Sequence, residues 1–183
     1  PIERLFIQWG FSQVFPAKTM CAHVTTWNKN SSVKFRTDVA MMCKLGFDIK
    51  LADMSKDDET YCRTAVQNYN RLKPVVLEGD MYRLVSPYGS NHTSTMYVGK
   101  DKDKAVVFAF DIHPRYAEKI LPVRLQGLDA DKMYRVKEIN LMPGANSSLS
   151  GNGEVFSGEF LMNVGLNLFT AQQLNSRVIE VVA

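Results

Sequence analysis

Cys21 and His23 are the two side chains whose types and spacing most directly suggest covalent chemistry. On a β-strand, residues two apart share a face, so the thiol would lie beside an imidazole able to act as its base. No third partner that would orient the imidazole is apparent in the sequence. Two side chains are also fewer than the three protein ligands that a zinc site needs. A packing role, with His23 hydrogen-bonded near the end of a strand, is therefore favoured over a nucleophile or a metal site.

Trp27 follows the same apolar stretch and has the side chain best suited to a carbohydrate. Its ring could stack on the face of a sugar, and it would equally suit half-buried packing with its N–H hydrogen-bonded. The neighbouring Asn28 adds polar character. Barrel enzymes build their sites at the carboxyl ends of strands. We therefore expect His23, Thr25 and Trp27 to lie at the rim of a substrate-binding site.

The other polar candidates have simpler structural interpretations. Asp48 lies in a short apolar run and is interpreted as a partner for Arg36 or Lys44. Asp111 and His113 lie where a turn at the end of a strand would explain them. The sequence has no glycine-rich phosphate loop, Ser-His-Asp pattern or HExxH zinc helix. We therefore expect no catalytic residue, metal site or cofactor in this chain.

The composition is that of a soluble globular protein without a nucleic-acid or membrane partner. The 183 residues are 45% hydrophobic and 22% charged, with a formal net charge of +3. This charge is too small and too evenly spread to favour nucleic acid. No stretch reaches the roughly 20 apolar residues that span a bilayer. Cys21, Cys43 and Cys62 each lie in an apolar run, which indicates buried thiols and no disulfide framework.

Residues 1–79 alternate helical and strand patterns. The predicted elements are a helix over 2–15 that Pro16 ends, a strand over 20–27, a helix over 33–45 with Gly46 as a left-handed cap, a strand over 46–49, and a helix that starts at Ser55 and that Pro74 and Gly79 end. This alternation is typical of a parallel α/β fold. Two strands do not close a parallel sheet, and a (β/α)8 barrel takes about 250 residues. We therefore expect the last part of a barrel.

Residues 80–183 change to period-two alternation with frequent turn residues. The predicted strands are MYRLVS, TSTMYVG, AVVFAFDI, PVRLQG, MYRVKEI and SRVIEVV, with hairpin turns at 99–104 and 128–131. Short strands with turns at this spacing are typical of an antiparallel sandwich. The sequence therefore predicts two domains, with the α/β part at 1–79 and an all-β antiparallel sandwich at 80–183.

Five blocks of the chain resemble the family-36 glycoside hydrolases, the retaining α-galactosidases. They are PIERLFIQWGFSQVFPAKTMCAHVT, KFRTDVAMMCKLGFDI, GDMYRLVSP, LQGLDADKMYRV and GEFLMNVGL. The resemblance covers essentially the whole chain and implies the end of a (β/α)8 barrel, from its sixth helix to its eighth, followed by a C-terminal antiparallel sandwich. It also implies that the acid/base Asp and the nucleophilic Asp precede Pro1. We therefore expect this chain to be a fragment that is inactive alone, from an enzyme acting on α-galactosides.

Two stretches depart from the common pattern of that family. They are Gln8–Phe11 and the loop 27–32, which both flank the sugar site that the resemblance implies. An α-N-acetylgalactosaminidase or a galactosyl-transferring relative therefore remains an alternative. A non-catalytic sugar-binding or scaffolding module, suggested by the sandwich, is an alternative of another class.

An incomplete barrel should expose apolar side chains that further strands normally cover. We expect this face to be formed by Phe6, Val24, Phe35 and Met41. Its burial against another copy of the chain would make the protein a homo-oligomer.

Overall fold

The computed structural model describes residues 1–27 and 30–183, which form a small parallel sheet with three helices and a large antiparallel sheet. The helices are α1 (Ile2–Phe11), α2 (Val33–Ala40), α3 (Lys56–Glu78) and α4 (Gly158–Asn163). The strands are β1 (Cys21–Thr25), β2 (Lys44–Asp48), β3 (Asp80–Val85), β4 (His92–Val98), β5 (Lys104–Asp111), β6 (Met133–Ile139), β7 (Val155–Ser157) and β8 (Asn175–Val182). The predicted change from α/β to all-β is confirmed.

The parallel sheet consists of β1 and β2, in register from Cys21 opposite Lys44 to Thr25 opposite Asp48. The helix predicted over 33–45 is wrong at its end, because α2 stops at Ala40 and β2 already begins at Lys44. Tertiary contacts explain this. The Lys44 N–H donates to the Met20 carbonyl at 3.1 Å. The Tyr69 hydroxyl donates to the Cys43 carbonyl at 2.9 Å. The backbone groups of Cys43 and Lys44 therefore bind partners outside the helix.

Helix α1 is also shorter than the prediction of 2–15, since it ends at Phe11. The Ser12 hydroxyl donates to the Trp9 carbonyl at 2.7 Å, and Arg83 of β3 donates to both the Ser12 hydroxyl and the Ser12 carbonyl. A strand distant in sequence therefore holds the backbone where the helix ends. The sequence pattern of α1 alone does not contain that contact.

Helix α3 confirms the predicted start and the predicted end at Gly79, but not the role predicted for Pro74. The Ser55 hydroxyl accepts a hydrogen bond from the Asp58 N–H at 3.1 Å, as expected of an N-cap. Pro74 was expected to help end the helix, but it lies inside α3, which continues to Glu78. Val75 and Val76 after it are buried in the core. The free energy gained by burying these two valines offsets the loss of the backbone hydrogen bond that proline cannot donate.

The second half forms a six-stranded antiparallel sheet in the order β3-β4-β5-β8-β6-β7. The predicted turn at 99–104 joins β4 to β5, and Val98 pairs with Ala105. The strand predicted for PVRLQG is wrong, because only an isolated bridge between Val123 and Leu166 forms there. That segment packs with α4 on one face of the sheet as an irregular second layer.

The other face of the sheet packs directly on the α/β part. Phe35 of α2 meets Phe110 of β5 edge-to-face, with ring centroids 5.6 Å apart. Val24 and Met41 belong to the same core. The expectation that they would be exposed together with Phe6 is therefore wrong, since Val24, Phe35 and Met41 are buried within the chain and Phe6 is half-buried. Phe35 packs on the antiparallel sheet, and Val24 and Met41 lie in the same core, so these side chains do not form an open barrel face.

A buried carboxylate joins the two parts. Asp38 of α2 is fully buried and accepts hydrogen bonds from Lys34 at 2.6 Å and from the Tyr61 hydroxyl at 2.9 Å. From the second half, it accepts from the Ser176 hydroxyl at 2.7 Å and from the Asn140 amide at 3.1 Å. Burial, followed by the neighbouring Asp38 charge, raises the pKa of Tyr61 well above its ordinary value, so its hydroxyl remains a donor.

Candidate functional site

The candidate site lies on the open face of β1. Strand alternation buries Ala22 and Val24 and turns Cys21, His23 and Thr25 to the opposite face, where Cys21 and His23 are exposed and Thr25 is half-buried. The structure therefore places two of the three predicted rim residues, His23 and Thr25, on one face. Their neighbours across the register are Gly46 and Asp48 of β2.

Gly46 makes room for the His23 ring. It was predicted to cap a helix in a left-handed conformation, and this prediction is wrong because Gly46 lies within β2, outside the positive-φ residues. A Cβ atom built on Gly46 would lie 2.7 Å from His23 Nε2 and closer still to Cδ2. The imidazole therefore occupies the space that any larger residue at this position would fill.

Two arginines occupy the edge of β1 that does not pair with β2. The Met20 carbonyl points towards β2, where it accepts from Lys44, so the alternate carbonyls of His23 and Thr25 point to the other edge. Arg4 donates to the His23 carbonyl at 2.6 Å, and Arg36 donates to the Thr25 carbonyl at 2.6 Å. A strand edge without a neighbour presents unpaired N–H and C=O groups. Guanidinium groups here bind the carbonyls that a further strand would otherwise bind.

Trp27 lies just past β1 and is 78% exposed. Its carbonyl is 3.5 Å from Arg36 Nη1, which ties it to the start of α2. A cleft of about 170 Å³ brings Trp27 together with His23 and Thr25. The three predicted rim residues therefore share one cleft, with the indole free to stack on a ligand. Asn28, expected beside the tryptophan, lies outside the described residues.

The geometry does not support a Cys21–His23 nucleophile. Within residues 1–27 and 30–183, no hydrogen bond joins these side chains, and Cys21 lines a separate, mainly apolar cleft of about 420 Å³ beside Ile7 and Phe11. The expected burial of all three thiols is confirmed for Cys43 alone, because Cys62 is half-buried and Cys21 is exposed on the face of β1 turned away from the core. Burial raises the pKa of Cys43 to about 12.

The proposed partner of Asp48 is also not found. Asp48 is exposed at the end of β2, and the ion pairs among the described residues do not include it. Arg36 donates to backbone carbonyls instead. Within the described part of the chain, no group of three or more His, Cys, Asp or Glu side chains is arranged to hold a metal ion. In the same part, no helix combines the length and apolar character needed to cross a membrane.

A buried pair, His92 and Asp111, was missed by the sequence reasoning. His92 Nδ1 lies 2.7 Å from Asp111 Oδ1, at the end of the β4–β5 hairpin. The sequence contains enough information to predict this pair, because the turn at 99–104 fixes the register of β4 against β5. Counting outward from the Val98–Ala105 pair places His92 directly opposite Asp111. The structure therefore explains Asp111 by its contact with His92 and not by a turn. The side chain of His92 is 95% buried.

Comparison with known proteins gives two consecutive family matches. Residues 1–79 match the model described as melibiase, and residues 92–181 match the glycosyl hydrolase family 36 C-terminal domain. "Alpha-galactosidase 2" of Hypocrea jecorina is 33% identical over 184 residues, covering 97% of this chain and 23% of that protein. "Alpha-galactosidase AgaA" of Geobacillus stearothermophilus is 28% identical over 155 residues, covering 82% of this chain and 21% of that protein.

Solved structures give the same result. AgaB of Geobacillus stearothermophilus, a GH36 α-galactosidase, superposes with a TM-score of 0.85 at 26% identity, covering all of this chain and 24% of that one. A variant of AgaA from that organism, in complex with stachyose, has a TM-score of 0.86 at 27% identity and the same coverage. These matches place the chain within the glycoside hydrolase families.

More narrowly, the chain belongs to glycoside hydrolase family 36 and corresponds to a C-terminal part of the proteins in that family. It spans about a quarter of the length of the relatives that it matches.

Proposed function

We propose that this chain is part of an enzyme that hydrolyses terminal α-D-galactosyl residues with retention of configuration. The observation that carries the proposal is the 33% identity to an α-galactosidase over nearly the whole chain. The two catalytic Asp carboxylates would precede Pro1, so the chain would be inactive alone. Residues 1–79 would complete the catalytic barrel, and residues 80–183 would form the C-terminal sandwich domain.

A retaining mechanism sets what the rest of the enzyme must supply. Two carboxyl groups about 5 to 5.5 Å apart flank the scissile bond; one attacks the anomeric carbon and the other protonates the leaving oxygen and then activates water. This chain would supply binding groups at the rim of that site. Trp27 would stack on a sugar ring, while His23 and Thr25 would offer hydrogen-bonding groups from β1.

The two arginines support this role of β1. Arg4 and Arg36 hold the His23 and Thr25 carbonyls, and through these contacts they fix the end of β1 from which Trp27 projects. Holding a strand end to within about 0.5 Å is the requirement for a functional binding group.

We also propose that the whole enzyme is a homo-oligomer. Four apolar side chains are exposed on α1 and just after it, and contact with another subunit would cover them. They are Ile7, Phe11, Val14 and Phe15.

The test is hydrolysis of p-nitrophenyl α-D-galactoside by this chain and by a longer chain extended upstream through a whole barrel. We expect turnover by the longer chain alone. Turnover by the 183 residues would overturn the assignment of the catalytic groups. If neither chain is active, p-nitrophenyl N-acetyl-α-D-galactosaminide becomes the next substrate to assay. Inactivity on both, with saccharide binding retained, would favour the sugar-binding module.

The rim residues are tested in the longer chain. Trp27→Ala should raise KM for the galactoside about fivefold, because losing a stacking contact of about 1 kcal/mol weakens binding by that factor. Trp27→Phe should restore most of the affinity. Val155→Ala, on exposed β7, is the matched control and should leave KM unchanged. An unchanged KM in Trp27→Ala would remove this residue from the proposed site.

A further inference from the structure

The second half of the chain contains a buried histidine with a carboxylate on each side. His92 Nδ1 lies 2.7 Å from Asp111 Oδ1, and because a carboxylate only accepts hydrogen bonds, we assign Nδ1 as the donor. The orientation of Asp111 is fixed, because its other oxygen accepts from the Thr170 N–H at 3.0 Å and from the Thr170 hydroxyl at 2.7 Å. The Phe169 ring lies against the imidazole, with centroids 4.7 Å apart. His92 is therefore held in one orientation with a proton on Nδ1.

The other ring nitrogen faces Glu118. His92 Nε2 lies 3.5 Å from Glu118 Oε2 and has no hydrogen-bond partner among the described residues. The Glu118 carboxyl is itself positioned by the Arg115 N–H at 3.0 Å and by the Asn91 amide at 3.1 and 3.2 Å. These hydrogen bonds, led by that of Arg115, lower the pKa of Glu118, so this group is a carboxylate at neutral pH.

The chemical consequence depends on one proton. A carboxylate can only accept hydrogen bonds, and a neutral imidazole with its proton on Nδ1 presents a lone pair at Nε2. In that state, Nε2 and Glu118 are two acceptors facing each other. In the imidazolium both nitrogens are donors, so the same geometry becomes attractive at Asp111 and at Glu118.

Glu118 lies in an irregular segment that forms one wall of a cleft. This segment, residues 113–122, connects buried Ile112 to buried Val123 and consists of exposed and half-buried residues. The cleft has a volume of about 890 Å³ and is lined by His92, Glu118 and Phe169, among others. We propose that His92 acts as a proton-dependent latch: its imidazolium binds Glu118 and so holds segment 113–122 at the wall of the cleft, whereas its neutral form leaves the Asn91 amide as the side-chain contact that holds Glu118 from outside the segment.

Several charged groups face this contact from the surrounding elements. Asp111 comes from β5, Arg115 and Lys119 belong to segment 113–122, and Arg124 lies on the following strand-like segment beside the cleft. Asp111 and Glu118 favour the imidazolium, whereas the basic side chains oppose it. Asn91, Phe169 and Thr170 are uncharged, so they position the groups without adding charge.

Hydrogen exchange of the 183-residue chain tests the latch. Backbone amides of 113–122 are compared at about pH 5 and about pH 8, after correction for intrinsic exchange rates. We expect about tenfold greater protection at the lower pH, the effect of one charge-assisted hydrogen bond. Nitrogen chemical shifts of the His92 ring should show two protons at the lower pH and one, on Nδ1, at the higher.

Glu118→Gln separates the latch from a general effect of pH. The amide can donate to neutral Nε2 or accept from the imidazolium, so protection of 113–122 should become nearly independent of pH. Lys119→Gln, a neighbouring charge change without the His92 contact, should keep the tenfold difference. Equal protection of the wild-type segment at both pH values would overturn the proposal. So would an unchanged pH dependence in Glu118→Gln, or a His92 ring with a single proton throughout.

Discussion

The His23 imidazole lies over the α-carbon of Gly46, in the space where any other residue would carry its Cβ atom. The two residues are register partners in neighbouring parallel strands. Glycine in a strand interior is otherwise unfavourable, because it brings no side chain to pack and loses more backbone entropy on folding. The absence of a side chain at position 46 is thus what lets a proposed rim residue lie flat across the open face of the sheet.

Replacing Gly46 by Ala should therefore displace the His23 ring. Because the exposed ring can turn away from the new methyl group, we expect a loss of no more than about 1 kcal/mol in the free energy of unfolding, measured by urea denaturation. In a His23→Ala background, the same substitution should be neutral or stabilising, since alanine suits a strand better than glycine once the ring is gone. Additive effects in this double-mutant cycle would contradict a direct clash.

Replacing Asp38 by Asn should destabilise the whole chain. The substitution keeps the shape but leaves the partly buried Lys34 ammonium without its carboxylate, so we expect a cost of about 3 kcal/mol in thermal or urea unfolding. Glu59→Gln breaks another (i, i+4) pair, with Arg63, whose side chains are largely exposed. That control should change stability by less than about 0.5 kcal/mol. Equal effects of the two substitutions would argue against the buried network.

Thiol labelling should distinguish the three cysteines. Cys21 is exposed and should react with a disulfide reagent at the rate of an ordinary thiol, without the acceleration that a His-activated nucleophile would show. Burial raises the pKa of Cys43 to about 12 and that of Cys62 to about 11, so both remain protonated from neutral to mildly alkaline pH. One fast equivalent is expected in the folded chain and three after unfolding.

Cys21→Ser is the control for that experiment and should abolish the fast equivalent while leaving the slow ones. Rapid modification of Cys43 in the folded chain would contradict its burial. A Cys21 rate far above that of a free thiol would reopen the nucleophile hypothesis.

Replacing Pro74 by Ala should stabilise the chain. Pro74 is exposed inside α3, so removing its ring leaves no cavity, and alanine restores a backbone donor. We expect a gain of about 1 kcal/mol or more, seen as a higher midpoint of thermal unfolding. Lys73→Ala, at the adjacent exposed position, should shift stability by less than about 0.5 kcal/mol. A lower midpoint for Pro74→Ala would mean that the packing of Val75 and Val76 needs the proline geometry.

Local chemistry in the sequence was enough to predict some elements. The Ser55 cap and the turn at 99–104 depend on neighbouring residues, and both were confirmed. The continuation of α3 through Pro74 and the role of Gly46 depend on contacts with other elements. Burial of Val75 and Val76 carries the helix past Pro74, and the His23 ring, not a helix end, accounts for Gly46. Propensity is a weak guide where tertiary packing decides.

The candidate site divides in the same way. Strand alternation predicted that Cys21 and His23 share a face, which the structure confirms. The arginines at the free edge of β1 were not predicted, because their contacts join helices to strand carbonyls. The assignment of His23, Thr25 and Trp27 to a substrate rim stays a prediction. The pairing of His92 with Asp111 could have been predicted from the sequence, since the turn at 99–104 fixes the register of the two strands.

The buried contacts of Asp38 bear on how such enzymes can be recombined. The type of strand changes after residue 79, which makes this position a natural choice for joining parts of two relatives. Asp38, however, is completed by Ser176 and Asn140 from the other side of that junction. A hybrid joined there would inherit one half of a polar network and meet foreign partners for the other half. Successful chimeras should therefore be those whose parents share the residues facing Asp38, whatever their overall identity.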